Sequence, residues 1–185
     1  MDVTEFLEWP GDGTTTRYEL VDGVLRAMAP PSDAHGTIQS NLIRLIGNHL
    51  PRRRPGCRVV TTPGIQPRIR ADWNFRVPDI GVTCAPNVSG AVMMPNPILL
   101  IEILSPGNAS ASWDNIWAYA TLPDVAELVV VHSVRIKAEV LRKGAGGAWP
   151  ERADVIEADG VIGLITIEAE LPMAEVYAET HLTRD

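Results

Sequence analysis

Apolar and polar positions recur with different periods along this chain, and the changes of period mark its elements. Residues 17–28 form two short strand-like runs around Asp22-Gly23. Asp-Gly tolerates the positive φ angles of a two-residue turn, so a β-hairpin is predicted. Before it, Phe6, Leu7 and Trp9 suit a short helix over residues 3–9, broken by Pro10-Gly11. Ile38, Leu42, Leu45, Ile46 and His49 recur at helical spacing, which predicts an amphipathic helix over 34–50 ended by Pro51. Residues 57–62 and 64–69 predict a second strand pair, and 77–84 a strand with Pro78 near its start, where a missing donor is tolerated. A loop rich in proline, glycine and asparagine follows over 85–96. Residues 110–121 suit a helix packed through Trp113, Ile116, Trp117 and Tyr119. Residues 127–132 read as a buried strand, 135–142 as a half-exposed one and 144–147 as a turn. Short strands and a terminal helix are expected over 151–177. This order predicts an α/β (α+β) fold in which helices flank a central mixed sheet, with residues 1–185 as one domain.

One position breaks the pattern. Residues 98–104 read Ile-Leu-Leu-Ile-Glu-Ile-Leu between Pro97 and Ser105-Pro106. A continuous aliphatic run suits a strand covered on both faces, and Glu102 lies inside it. An unpaired ion buried there costs roughly several kcal/mol even after relaxation. Two readings follow: the carboxylate meets a metal, a cation or a proton, or the strand ends early and Glu102 reaches solvent.

Charge narrows the function classes. The net charge of −7 over 185 residues argues against a bulk electrostatic grip on nucleic acid. The distribution is uneven, because residues 51–76 hold seven arginines and one acid while the chain as a whole has only two lysines, Lys137 and Lys143. The arginine band is either a phosphate-facing patch, with Arg68, Arg70 and Arg76 its later members, or a solvated face. Cys57 and Cys84 lack metal-ligand spacing and are expected to be reduced thiols, which points to a cytoplasmic protein, while a disulfide between them is left open without support from the sequence. No apolar run reaches the length of a membrane span, and the N-terminus has no signal-peptide pattern.

Two acids on adjacent strands carry the candidate chemistry. Asp79 follows Pro78, Glu102 lies on the next strand, and consecutive strands usually pair. Carboxylates converging across a sheet make a hard oxygen site for Mg²⁺ or Mn²⁺, to which the Ile103 carbonyl can add a ligand and Glu19 a water-mediated contact. Such an ion activates water and offsets charge on a phosphate under attack. His35, near a helix start, is either a phosphate contact and acid–base group or a packing and capping residue. Ser105 has no histidine at serine-hydrolase spacing, and no glycine-rich phosphate loop is present.

The pieces Val77-Pro78-Asp79 and Ile101-Glu102-Ile103-Leu104-Ser105-Pro106 together resemble the PD-(D/E)XK nuclease superfamily. Arg17-Tyr18-Glu19-Leu20-Val21-Asp22-Gly23, Met28-Ala29-Pro30-Pro31-Ser32 with His35, and Trp117-Ala118-Tyr119 narrow the resemblance to the Uma-two family of restriction-endonuclease-like proteins, over about residues 4–145. The resemblance implies a restriction-endonuclease-like core with Asp79 and Glu102 as metal ligands, Glu19 as an accessory acid, DNA as substrate and a homodimer. One departure stands out. The superfamily lysine falls two residues after the glutamate, where this chain has Leu104, and relatives that move it to the next helix would place it near Asp114 and Asn115. Arg76 or Lys137 is left to supply the cation. The expectation is therefore a Mg-dependent DNA endonuclease whose catalysis is in question, or a non-catalytic dimeric scaffold or nucleic-acid-binding domain on the same fold.

Overall fold

A computed structural model describes residues 1–107 and 109–183. Helix α1 (Val3–Glu8) starts on a reciprocal cap, in which the Asp2 carboxylate accepts the Glu5 N–H and the Glu5 carboxylate accepts the Asp2 N–H. Strands β1 (Tyr18–Val21) and β2 (Val24–Ala27) pair antiparallel around Asp22 at φ 50° and Gly23 at φ 82°, as the Asp-Gly turn predicts. Helix α2 (Asp33–Arg53) is capped by the Ser32 hydroxyl on the His35 N–H. It runs through Pro51 instead of ending there. In the last turn a proline removes one hydrogen bond only, and Arg52 and Arg53 suit the negative end of the helix dipole.

The main sheet has six strands in the order β3 (Arg58–Thr61), β4 (Ile80–Thr83), β5 (Pro97–Leu104), β6 (Glu127–His132), β7 (Lys137–Arg142) and β8 (Asp154–Glu157). Within this sheet β5 and β6 run parallel and the other described pairs antiparallel, and the crossover that the parallel pair requires is supplied by α3 (Ala109–Tyr119). Residues 64–69 do not form the expected strand beside β3. That edge is taken by β4, with Arg58 opposite Thr83 and Thr61 opposite Ile80, which leaves Gly64 and Ile65 with single bridges to Met93 and Arg76. The tail adds a hairpin, β9 (Val161–Leu164) with β10 (Ala169–Pro172), and the short helix α4 (Met173–Val176).

Alternation along β5 explains its unbroken apolar run. Ile101 and Ile103 join Ile38, Leu42 and Ile46 of α2 in one core, while Leu100 and Leu104 join Ile116 and Tyr119 of α3 in the other. Both faces are covered, so Glu102, which alternates with Leu100 and Leu104, points into the α3 side. Trp117 departs from the packing role expected of it and is 47% exposed. The inward face of α3 is made by Ser112, Asn115, Ile116 and Tyr119, and Trp117 lies about 200° around the helix from Asn115.

The cysteines correct another expectation. They are 27 residues apart, too far for a local motif, but the β3–β4 register continues past Arg58 and Thr83 to set them side by side, and they form a disulfide. The basis for expecting reduced thiols is thereby lost, and with it the argument for a cytoplasmic location. Among the described residues, no helix is long and apolar enough to cross a membrane.

Tyr177 fastens the tail to the sheet. Its hydroxyl lies 2.7 Å from the His132 carbonyl and 2.8 Å from the Lys137 carbonyl, and it accepts the Lys137 N–H at 3.2 Å. Tyr177→Phe strands these buried groups, and the expected loss is about 1–3 kcal/mol in urea unfolding with an unchanged far-ultraviolet dichroism spectrum.

Candidate active site

Asp79 immediately precedes β4, and Ile80 lies opposite Ile101, so the register makes Asp79 the cross-strand neighbour of Glu102. The backbone holds the Asp79 carboxylate directly, because Oδ2 accepts the Ile103 N–H at 2.7 Å. In an extended residue the N–H and C=O face the same edge, so the Ile103 carbonyl also opens toward this side. Oδ1 lies 2.9 Å from Nε2 of His35, whose Nδ1 is 3.3 Å from the Ser105 hydroxyl. His35 is thus buried at the site as the partner of Asp79.

Glu102 is 5% exposed. Its Oε1 accepts the Tyr119 hydroxyl at 2.9 Å and Nδ2 of Asn115 at 3.2 Å. Burial, then the negative charges of Asp79 and Glu19, raise its carboxyl well above the ordinary carboxylate range, and the hydrogen bonds from Tyr119 and Asn115 offset this only in part. Burial and the neighbouring Glu102 raise the Tyr119 phenol in turn.

Glu19 comes from the hairpin. Its Oε1 accepts the Val77 N–H at 2.7 Å and Nδ2 of Asn115 at 3.3 Å, while its Oε2 accepts Nη2 and Nε of Arg26 at 2.5 and 3.1 Å. It clamps β1 to the segment leading into Asp79.

Asn115 sits where these groups meet. Its Oδ1 accepts Nη2 of Arg26 at 2.6 Å and Nη1 of Arg76 at 2.8 Å, and its Nδ2 faces Glu19 and Glu102. A carboxamide offers both an acceptor and donors, so it can join guanidiniums to carboxylates, which neither a lysine nor a leucine can do. Arg76 is 5% exposed, and its Nη2 is held by Asn74 Oδ1 at 2.8 Å. Burial and then the charge of Arg26 lower its pKa from the usual arginine value.

The structure therefore brings together Asp79, Glu102, Ile103, Glu19, His35 and Arg76. Arg68 and Arg70 lie outside this cluster. Both are exposed, and Arg70 pairs with Asp22 at 3.2 Å. Lys137 lies away from the cluster, held by Glu139 at 2.7 Å, which itself binds His132. Sequence reasoning missed Arg26 and Tyr119 as partners and saw Asn115 only as a position without charge. An arginine on the hairpin strand opposite Glu19 was the available signal, since the two are cross-strand partners.

Among the described residues, no three His, Cys, Asp or Glu side chains form a ready-made metal cage. The donor set nonetheless fits Mg²⁺ or Mn²⁺. It consists of hard oxygens, it includes a buried carboxylate short of positive charge, and Mg²⁺ usually takes one or two carboxylates and keeps several waters. Asp79, Glu102 and the Ile103 carbonyl are the residues that could hold it.

The raised Glu102 carboxyl sets a pH dependence. Its proton is bound more tightly in the folded chain, so this group's contribution to stability is complete below about 4.5 and is lost as pH rises toward the raised value. Glu102→Gln keeps an acceptor for Tyr119 and removes that loss. In EDTA the variant is expected to melt above the wild type at pH 8, with the gap closing toward pH 5. In calorimetric scans each kcal/mol reads as roughly 2–4 °C for a chain of this size.

The family model of Uma2 (Uma-two), described as "Putative restriction endonuclease", matches residues 3–174. No curated protein matches this chain. Among solved structures, a putative nuclease belonging to DUF820 from Anabaena variabilis ATCC 29413 superposes with a TM-score of 0.77 at 19% sequence identity, covering 96% of this chain and 98% of that one. At that identity the likeness establishes the fold, a mixed sheet flanked by helices.

Proposed function

This chain belongs to the Uma2 family, and from that premise we propose that it is a divalent-metal-dependent nuclease hydrolysing phosphodiester bonds in DNA. The observation that carries the reading is Glu102, a carboxylate buried beside Asp79 with its proton affinity raised by burial and by neighbouring acids. That arrangement suits a divalent cation. Asp79 and Glu102, with the Ile103 carbonyl, would hold Mg²⁺ or Mn²⁺. When bound, the ion supplies an activated water and relief of phosphate charge.

The chain's own residues position and balance this site. His35 and the Ile103 N–H fix the Asp79 carboxylate from two directions. Tyr119 and Asn115 fix Glu102. Glu19 acts as an accessory acid by binding the hairpin to Val77 and by holding Arg26. The exposed Arg68 and Arg70 meet the DNA backbone, whereas Arg76, which is buried, contributes charge from behind Asn115. A homodimer would present two such sites.

One observation favours a second reading, a nucleic-acid-binding or scaffold domain that retains the fold. Both oxygens of Asp79 and both of Glu19 already have protein partners, so these side chains are held without any ion. A Mn²⁺ titration by calorimetry separates the two. A working site gives saturable binding that Glu102→Ala abolishes, and absence of binding supports the second reading.

The hydrolytic reading predicts that plasmid DNA is nicked or linearised with Mg²⁺ or Mn²⁺. Asp79→Ala and Glu102→Ala should each lower the rate by at least about 100-fold, beyond the 10–100-fold typical of losing an outer partner of a metal ligand. Wild-type protein that leaves the plasmid intact, or variants that cleave like wild type, would overturn it.

A further inference from the structure

Leu104 stands where the superfamily's cation would be, and it is buried in the apolar α3-side core, so no charge reaches the site from that position. Three carboxylates, Glu19, Asp79 and Glu102, nevertheless lie close together, because Asp79 is the cross-strand neighbour of Glu102 and Asn115 Nδ2 donates to both Glu19 and Glu102. Two guanidiniums enter that volume, those of Arg26 and Arg76, and both end on Asn115 Oδ1.

The two arginines are not equivalent. Arg76 is buried, with Nη1 on Asn115 and Nη2 on Asn74, and its Nε is shielded from solvent. It has no edge to offer an incoming group. The Arg26 side chain is 29% exposed. Its Nε–Nη2 edge is occupied by Glu19, with Nη2 also on Asn115. Nη1 has no protein partner among the described residues. A guanidinium is a planar fork, so fixing one edge on a carboxylate aims the remaining N–H groups in a set direction. Nη2 lies one carboxamide away from Glu102, through Asn115.

Resting on the nuclease reading, we propose that Arg26 is the phosphate-binding cation of this site, presented by the β2 strand of the hairpin, with Nη1 donating to a non-bridging oxygen of the bound phosphodiester. Glu19 and Asn115 are its positioning residues. Arg76, buried behind Asn115, adds positive charge to the site and does not touch substrate. Charge then arrives from the hairpin side of the site and not from the strand that carries Glu102. An arginine in this place can neutralise and orient the phosphate, but it stays protonated and takes no proton from water.

The test compares wild-type protein with Arg26→Gln and Arg26→Lys. Three measurements are made: binding of a short DNA duplex in Ca²⁺ by fluorescence anisotropy at several salt concentrations, Mn²⁺ binding by calorimetry, and cleavage in Mn²⁺. Arg26→Gln should weaken duplex binding and lower the slope of log affinity against log salt by about one, the signature of one lost phosphate contact. Mn²⁺ affinity should stay within about twofold of wild type, and kcat should fall on the order of 100- to 1000-fold, as for loss of one transition-state donor. Arg26→Lys, which keeps the charge, should retain the salt slope and part of the rate.

Equal behaviour of the Gln and Lys variants overturns the proposal. So does a Gln variant that binds duplex and cleaves like wild type, or one whose loss is matched by an equal loss of Mn²⁺ affinity, which would make Arg26 only a support for Glu19. A wild type that binds duplex with the Arg26-dependent slope yet never cleaves sustains the phosphate contact and refutes hydrolysis. A wild type that binds no duplex refutes the phosphate contact.

Discussion

A carboxylate on a strand covered by helices on both faces has lost its water, and the surroundings of Glu102 are organised around that loss. Tyr119 and Asn115 return two of the hydrogen bonds that water would have made. They do not return the charge balance, because Asp79 and Glu19 add negative charge nearby. Asn115 joins the acids to the nearest positive charges, because its amide nitrogen meets Glu19 and Glu102 while its oxygen meets two guanidiniums. A neutral side chain can hold opposite charges on its two ends where a charged one would repel half of its neighbours.

The same network ties together elements that are distant in sequence. Glu19 and Arg26 belong to the hairpin, Asn74 and Arg76 to the segment before β4, Asp79 to the entry of β4, Glu102 to β5, and Asn115 and Tyr119 to α3. The hairpin is held by backbone as well, since Leu20 and Phe75 exchange both N–H···O bonds at 2.8 and 2.9 Å. Placement of the acids is therefore a property of the docked hairpin and not of the sheet alone. A buried polar network of this kind is stabilising only when its members are satisfied, and every carboxylate in it has at least two partners, whereas Arg76 Nε is buried without one among the described residues.

What the sequence made legible was local or strictly periodic. The Asp-Gly turn, the apolar stripe of α2 and the aliphatic run of β5 each determine their element by short-range rules, and Glu102 was visible because it violated one of them. The pairing of Asp79 with Glu102 followed from chain order. What stayed hidden depends on register between distant segments. Cys57 and Cys84 meet only because β3 takes β4 as its partner. Trp117 looked like core because tryptophan is apolar, yet the inward face of α3 is given to the polar network around Asn115. Arg26 was one of 14 arginines, and nothing local set it apart until its cross-strand position opposite Glu19 was combined with the docking of α3.

The cation's position follows from these constraints. A lysine in place of Leu104 would have to leave its ammonium among Ile116, Tyr119 and Val130 or bend back toward Glu102 through a packed layer. Placing the charge on β2 avoids that burial, because the arginine there reaches the site with its side chain 29% exposed. The arrangement has a consequence for assembly. Glu19 and Arg26 lie directly opposite each other on one hairpin, so their ion pair can form with the hairpin alone. Glu102 meets Asn115 and, through it, the guanidiniums only after that hairpin, α3 and the sheet have come together. Formation of the site is in this way coupled to completion of the fold, and a loosened hairpin would take Glu19 and Arg26 from the network together, leaving Asn115 with Arg76 and Glu102.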